Sequence, residues 1–266
     1  MVRPALFFTV PLLIASPVLA ADPWADGVVH YDPGSATGLY TTAPLSVLGS
    51  PERYTGEIGG FPAAVNPFNP TWGWDELLAV GPGGSLTLRF DEPVADDPLN
   101  PFGLDLILFA NMGYSSDLGF GVTSGSMLGG ATSALIEVSQ NGAGWTPLTS
   151  ILSSGILPTL GYQDITDPFT PPAGTVLTDY TRPVAPGFDA AGMSLAQIIA
   201  AYGGAGGGLG LDLSQSGLAW VTHVRITNTG SGDLVIDALA DVAAVPAPAS
   251  LLALLLAVPR RRRVIA

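Results

Sequence analysis

Gly and Pro cut this chain into short apolar runs, and short runs set between turns are what a many-stranded β protein requires. The 34 glycines and 24 prolines are spread over 266 residues without a period, which excludes a collagen-like triple helix. The segment S-L-T-L-R-F (85–90) alternates with period two. Leu86, Leu88 and Phe90 fall on one face, and Ser85, Thr87 and Arg89 on the other. The turn Gly81-Pro82-Gly83-Gly84 leads into it, and an acidic, Pro-containing loop (91–102) is expected after it. The run L-D-L-I-L-F-A (104–110) is nearly continuous in apolar residues and reads as a central strand. A further strand (134–139) ends at Gln140-Asn141-Gly142, a hairpin turn signal, with 145–148 as its partner. In 220–227 the alternation puts Trp220, Val224 and Ile226 toward the core and His223 and Arg225 toward water. The last strand is expected over 233–242.

One short helix is predicted, over about 194–203. Ser194-Leu195-Ala196-Gln197 is a capping box, Leu195, Ile198, Ile199 and Tyr202 form the apolar face, and Gly203-Gly204 stops it. Residues 150–189, rich in Pro, Thr and Gly, read as long loops with short strands. The run G-G-A-G-G-G-L-G (203–210) follows a helix instead of opening one and has no Lys, so it is not a phosphate loop; it reads as a flexible connector.

Both ends read as addresses. Arg3, an apolar stretch (5–15) and Val18-Leu19-Ala20 make a signal peptide over 1–20, cut after Ala20. The folding unit is then 22–244, enough for one sizeable core. The tail, 245–266, has a Pro-rich lead (Val245, Pro246, Pro248), an apolar stretch (251–258) and four arginines, Arg260, Arg261, Arg262 and Arg263. This resembles the PEP-CTERM tail of bacterial exported proteins, which an exosortase-type enzyme processes; Ala247 stands where that motif has Glu. The apolar stretch is far short of the ~20 residues of a spanning helix, so the membrane is engaged only transiently through the termini.

Charge separates the body from its ends. There is no lysine, and Arg3 and the tail arginines belong to the two addresses. The body keeps Arg53, Arg89, Arg182 and Arg225 against all 22 acidic residues, a net of −18. Such a surface repels phosphate backbones and excludes nucleic acid as a partner. No cysteine is present, which removes thiol chemistry and Cys-ligated metal.

The ordered set G-P-G-G-S-L-T-L-R-F-D-E-P-V (81–94), G-L-D-L-I-L-F-A-N (103–111), I-E-V-S-Q-N-G-A-G-W (136–145), V-T-H-V-R-I-T-N (221–228) and I-D-A-L-A-D-V (236–242) resembles a group of bacterial cell-surface proteins, many with PEP-CTERM-type tails. The resemblance covers about 45–242 and implies a galactose-binding-like β-sandwich, or jelly roll, at the cell surface or in extracellular matrix. Two positions depart from that pattern by losing a carboxylate: Ala110 stands for Glu, and Asn141 for Asp.

Catalytic chemistry has few candidates. His30, in a segment expected to be mobile, and His223, on a solvent face, are the only histidines, and no G-x-S-x-G elbow occurs, so a serine triad and a zinc site lack their parts. Asp75-Glu76, Asp91-Glu92 and Asp96-Asp97 are the carboxylate pairs by which a secreted polysaccharide hydrolase would have to work. No catalytic residue is assigned. Calcium is the more credible ligand, because acidic loops supply its oxygens. Asp105, Asp237 and Asp241 are its candidate holders, each an acid in an otherwise apolar strand, with Asp96, Asp97 and Asn100 in the loop before Asp105. No EF-hand loop is present. Tyr54, Phe61, Phe68, Trp72 and Trp74 gather in one segment with Asn66 and Asn69. They suit sugar stacking, with Trp72 and Trp74 as the carbohydrate-binding pair, or they fill the core from one face of a strand. The expected function is therefore a non-catalytic exported surface or matrix protein that meets envelope polysaccharide or other surface proteins. A purely structural surface component differs from it only in having no soluble ligand. The expected processing partners are signal peptidase and an exosortase-like enzyme.

Overall fold

A computed structural model describes residues 22–116, 122–128, 131–169 and 174–242. The signal-peptide segment and the tail, with Val245, Pro246, Pro248 and Arg260 to Arg263, lie outside the described residues. The strands are β1 (Gly27–Asp32), β2 (Tyr54–Thr55), β3 (Ala63–Ala64), β4 (Leu78–Val80), β5 (Ser85–Ala95), β6 (Leu106–Ala110), β7 (Tyr114–Ser116), β8 (Thr123–Met127), β9 (Ser133–Ser139), β10 (Thr146–Leu152), β11 (Leu209–Leu211), β12 (Trp220–Asn228) and β13 (Leu234–Asp241). One α-helix, α1 (Leu195–Tyr202), lies between β10 and β11.

Two antiparallel sheets form a jelly-roll-like β-sandwich. One runs β1-β5-β12-β9-β10 and the other β11-β6-β13-β4. From β4 to β6, and again from β11 to β13, each successive strand crosses to the opposite sheet, so the connections bind the two layers together. Leu86, Leu88 and Phe90 of β5 and Val224 and Ile226 of β12 meet Leu106 and Leu108 of β6 and Ile236 and Leu239 of β13 in the central core. Burying one such side chain contributes about 1.5–3 kcal/mol.

The second sheet is covered on its other face as well. Ile107 and Phe109 of β6 and Ala238 and Ala240 of β13 pack there against Tyr180 and Trp24. All five residues of β6 are therefore buried, and its apolar run needs no alternation. The outer layer comes from α1 and the long loops, with a core of its own that includes Phe68, Leu160, Leu195, Ile198 and Tyr202. The helix is capped as its sequence requires: Gln197 N–H donates to Ser194 Oγ, Ser194 N–H donates to Gln197 Oε1, and Gly203 ends it in the left-handed region.

Bulges account for most departures from simple alternation. In β12 the register slips between Val221 and His223. Val221 and Val224 both reach the core, while Trp220, expected inside, is 38% exposed. The same slip spreads Phe90 to Pro93 on β5, so that strand runs on to Ala95 where a loop was expected from Asp91. His30 lies in β1, paired with Thr87, and not in a loose leader.

The glycine run after α1 is not a flexible connector. Its middle is buried, and Leu209 to Leu211 forms β11 on β6. A Cβ on Gly206 would stand 2.0 Å from the Tyr180 ring, and one on Gly207 2.2 Å from the Pro158 carbonyl oxygen. These glycines let the backbone press against the outer layer.

Candidate functional site

The aromatic segment divides between core and surface. Phe68 is in the outer-layer core, and Asn66 is fully buried. The Asn66 amide is spent on structure: Nδ2 donates to the Ala64 and Pro168 carbonyls, and Oδ1 accepts from Phe68 N–H. Trp72 and Trp74 are not on a strand and belong to no described core cluster.

Trp72 is half-buried because its ring lies on a tight turn. Cβ atoms on Gly56 and Gly59 would come within 2.6 and 2.4 Å of that ring, so only glycines allow it to settle there. Gly56 has φ +91°, and Phe61 N–H closes the turn by donating to the Gly56 carbonyl. The Tyr40 hydroxyl donates to the Trp72 carbonyl, and Trp72 N–H to Thr55 Oγ1. Trp74 is 41% exposed, and Phe61 is 78% exposed.

Carboxylates border these rings. Glu76 accepts from Thr55 Oγ1 and from Gly73 N–H. Burial raises its pKa above the ordinary value, the two hydrogen bonds pull against that, and the charges of Asp75 and Glu57 add to it. Glu52 is raised in the same way, by burial first and then by Glu76, Glu57 and Asp75. The combination of ring faces and oxygen acceptors suits a ligand with both apolar C–H faces and hydroxyl donors.

Asp237 lies beneath this region. It is the extra residue of a bulge in β13, between Ile236 paired to Ala110 and Ala238 paired to Phe109. Its carboxyl meets Thr71 Oγ1 at 3.3 Å and the Glu52 peptide N–H. Complete burial, then the charge of Glu52, pushes its pKa up to about 8. An acid at this position holds its proton at neutral pH, which is how the protein tolerates it inside.

The calcium candidates fall in two places. Asp105 is fully buried and accepts from Asp97 N–H, Leu213 N–H and Asn100 Nδ2. Asp241 lies near it, with its pKa raised to about 7 by burial and by the Asp105 charge. Asp237, with Glu52 and Thr71, is elsewhere. The acids that converge on Asp105 are Asp96 and Asp212, with one oxygen of each of the three within 4.8 Å of the others. Asp212 was missed in the sequence because it lies 107 positions from Asp105. One signal was available: L-D-L occurs at 104–106 and again at 211–213.

The remaining paired acids face solvent or are held by near neighbours in the chain. Asp91 and Glu92 are exposed in the β5 bulge, where Asp91 pairs with Arg89. Asp97 Oδ1 accepts from Leu99 N–H and closes a local turn. Asp75 is exposed. His223 Nδ1 shares a 2.7 Å hydrogen bond with the adjacent Thr222 hydroxyl. Ala110 is buried at the end of β6, and Asn141 Oδ1 accepts from Ala143 N–H in the β9–β10 turn. Among the described residues no helix is long and apolar enough to cross a membrane.

No family model and no curated protein matches the chain. Among solved structures, a pectin-binding carbohydrate-binding module aligns over 86% of this chain and 96% of its own, at 10% identity and TM-score 0.33. A carbohydrate-binding module, CBM32-3, from a family 31 glycoside hydrolase of Clostridium perfringens aligns over 63% and 74%, at 12% identity and TM-score 0.26. Likenesses this distant say nothing of the ligand of this chain.

Proposed function

We propose that this protein is an exported, non-catalytic surface module that binds a neutral polysaccharide through the face carrying Trp72 and Trp74. The observation that carries the reading is the posture of the two indoles: Trp72 held on the Gly56–Gly59 turn, and Trp74 exposed beside it. A ring held in place before binding loses little entropy on stacking against a sugar. Glu52, Glu57, Asp75 and Glu76 supply acceptors for sugar hydroxyls. The same carboxylates, on a body of net charge −18, repel uronic-acid polymers and favour uncharged ones.

Export is supported by the two ends of the sequence, a signal peptide over 1–20 and a PEP-CTERM-like tail over 245–266. Signal peptidase and an exosortase-like enzyme would cut them and leave the sandwich at the cell surface or in the matrix. Intact mass of the native product with cell fractionation tests this. A cytosolic product that keeps both ends, in a secreting host, would reject it.

Binding is tested by titrating the protein with neutral and uronate-containing polysaccharides. Retention is expected on neutral polymers. Trp74→Ala is expected to weaken it tenfold or more, equal to about 1.4 kcal/mol, with an unchanged melting temperature. A blank result across neutral polymers, or binding indifferent to both Trp72→Ala and Trp74→Ala, would sink the reading.

A further inference from the structure

β11 is an edge strand, and only part of its outer side is covered. The Gly206 carbonyl accepts from Leu160 N–H, and Gly208 exchanges hydrogen bonds with Leu157, so the 157–160 segment seals this stretch. Leu211 turns its carbonyl the other way, into the sheet, where it accepts from Asp105 N–H. Peptide groups alternate sides along a strand, so Gly210 directs its N–H and C=O outward, past the end of that cover. An edge left open in this way can take up a further extended segment.

Two hollows, of about 240 and 270 Å³, meet over this open edge. Leu104, Leu209 and Gly210 line both. Leu157 and Phe188 line only the first, and Leu152, 59% exposed, only the second. Together they make one groove with apolar walls. Either hollow exceeds the ~150 Å³ cavity that admits a benzene molecule.

The chain's own continuation reaches this groove. β13 delivers Val242 to the same end of the sheet: Val242 N–H donates to the Asp105 carbonyl, and Asp105 N–H donates to the Leu211 carbonyl. With β6 between β13 and β11, Val242 stands about 10 Å, or two strand spacings, from β11. Residues 243–250 reach up to about 26 Å when extended. They therefore bring the apolar run L-L-A-L-L-L-A-V (251–258) to the groove with length to spare. Charge favours the same meeting. Arg260 to Arg263 follow that run, the body carries a net charge of −18, and Asp212 lines one end of the groove.

We infer that residues 251–258 dock in this groove and pair with the open edge of β11 at Gly210, in the chain that still carries its tail. Docking takes the apolar run out of water while the tail is attached, and removal of the tail frees the groove. A second copy is the poorer occupant, because two bodies of net charge −18 repel each other. The site stands independently of the glycan reading.

The test uses the full-length chain, which has no cysteine of its own. Gly155 lines the first hollow, and a Cβ there meets nothing within 4 Å, so Gly155→Cys is expected to fold. It is paired with one cysteine at each position from 251 to 258 in turn, and a disulfide within one chain is expected at one or more of them. Gly144→Cys, equally unobstructed but at the opposite end of β10 from Leu152, is the control and is expected to stay open. Hydrogen exchange gives a second readout. The Gly210 N–H is expected to exchange slowly in the parent and about tenfold or more faster in Leu252→Glu with Leu255→Glu, with β12 unchanged. Closure no better than the control at every position, disulfides only between two chains, or Gly210 exchange indifferent to the tail variant would overturn the inference.

Discussion

The guanidinium carbon of Arg53 lies 4.0 Å from the centre of the Tyr180 ring. Around this stack, Arg53 Nη1 donates to the Gly161 carbonyl and Thr178 Oγ1, and Nη2 to the Thr178 carbonyl. The Tyr180 hydroxyl donates to the Glu52 carbonyl, and its ring meets Phe109 edge-on at 5.4 Å. The pair thus fastens the outer loops to the back of the second sheet. Arg53→Ala is expected to cost about 1–3 kcal/mol, since it removes the donor to the Thr178 carbonyl and the stack on Tyr180, while the Gly161 carbonyl keeps Thr178 N–H and Oγ1 as donors. Arg53→Lys is expected to recover only part of that, because an ammonium cannot fork between two carbonyls and stack flat on a ring. Urea denaturation midpoints of the two variants check both statements.

Asp237 makes stability depend on pH in an unusual sense. Its folded pKa is about 8, against an ordinary 3.8. Between these values the folded chain holds a proton that the unfolded chain has released. The stabilisation is full below pH ~4 and is lost as pH rises toward 8, at about 1.4 kcal/mol per unit from this one group. Asp241, raised to about 7, acts in the same direction. Denaturation at pH 5 and pH 8 is expected to show the protein weaker at pH 8. Asp237→Asn is expected to flatten that difference and to exceed the parent at pH 8.

Gly206→Ala is expected to destabilise by more than about 3 kcal/mol or to prevent folding. The new Cβ would overlap the Tyr180 ring, which is itself wedged between Arg53 and Phe109. Gly144→Ala, with nothing within 4 Å of its Cβ, is the control and is expected to fold like the parent. Yield of folded protein and thermal melting distinguish the two.

Ser194→Ala removes the side chain that accepts from Gln197 N–H and is expected to cost about 1 kcal/mol. The loss is local, so hydrogen exchange is expected to quicken in the first turn of α1 before it changes in β5 or β12. Uniform quickening throughout the sandwich would mean that the helix unfolds only with the whole.

The sequence by itself determined the strands β5, β6, β9, β10, β12 and β13, the inward set Leu86, Leu88 and Phe90, and the capped helix at 195–202. Each of these rests on local rules: side chains alternate along a strand, and a capping box spans four residues. It also marked Asp105 as an acid out of place in an apolar run. Only the tertiary structure decided where the phase breaks. One bulge turns Trp220 outward, another sinks Asp237 against Glu52 and Thr71, and neither leaves a local mark in the residue pattern. Asp212 joining Asp105, Tyr180 closing on Arg53 and Trp72 settling on Gly56 and Gly59 are likewise products of chain crossing. Such contacts depend on which distant segments the packed layers bring together, and periodicity within one segment carries no information about that.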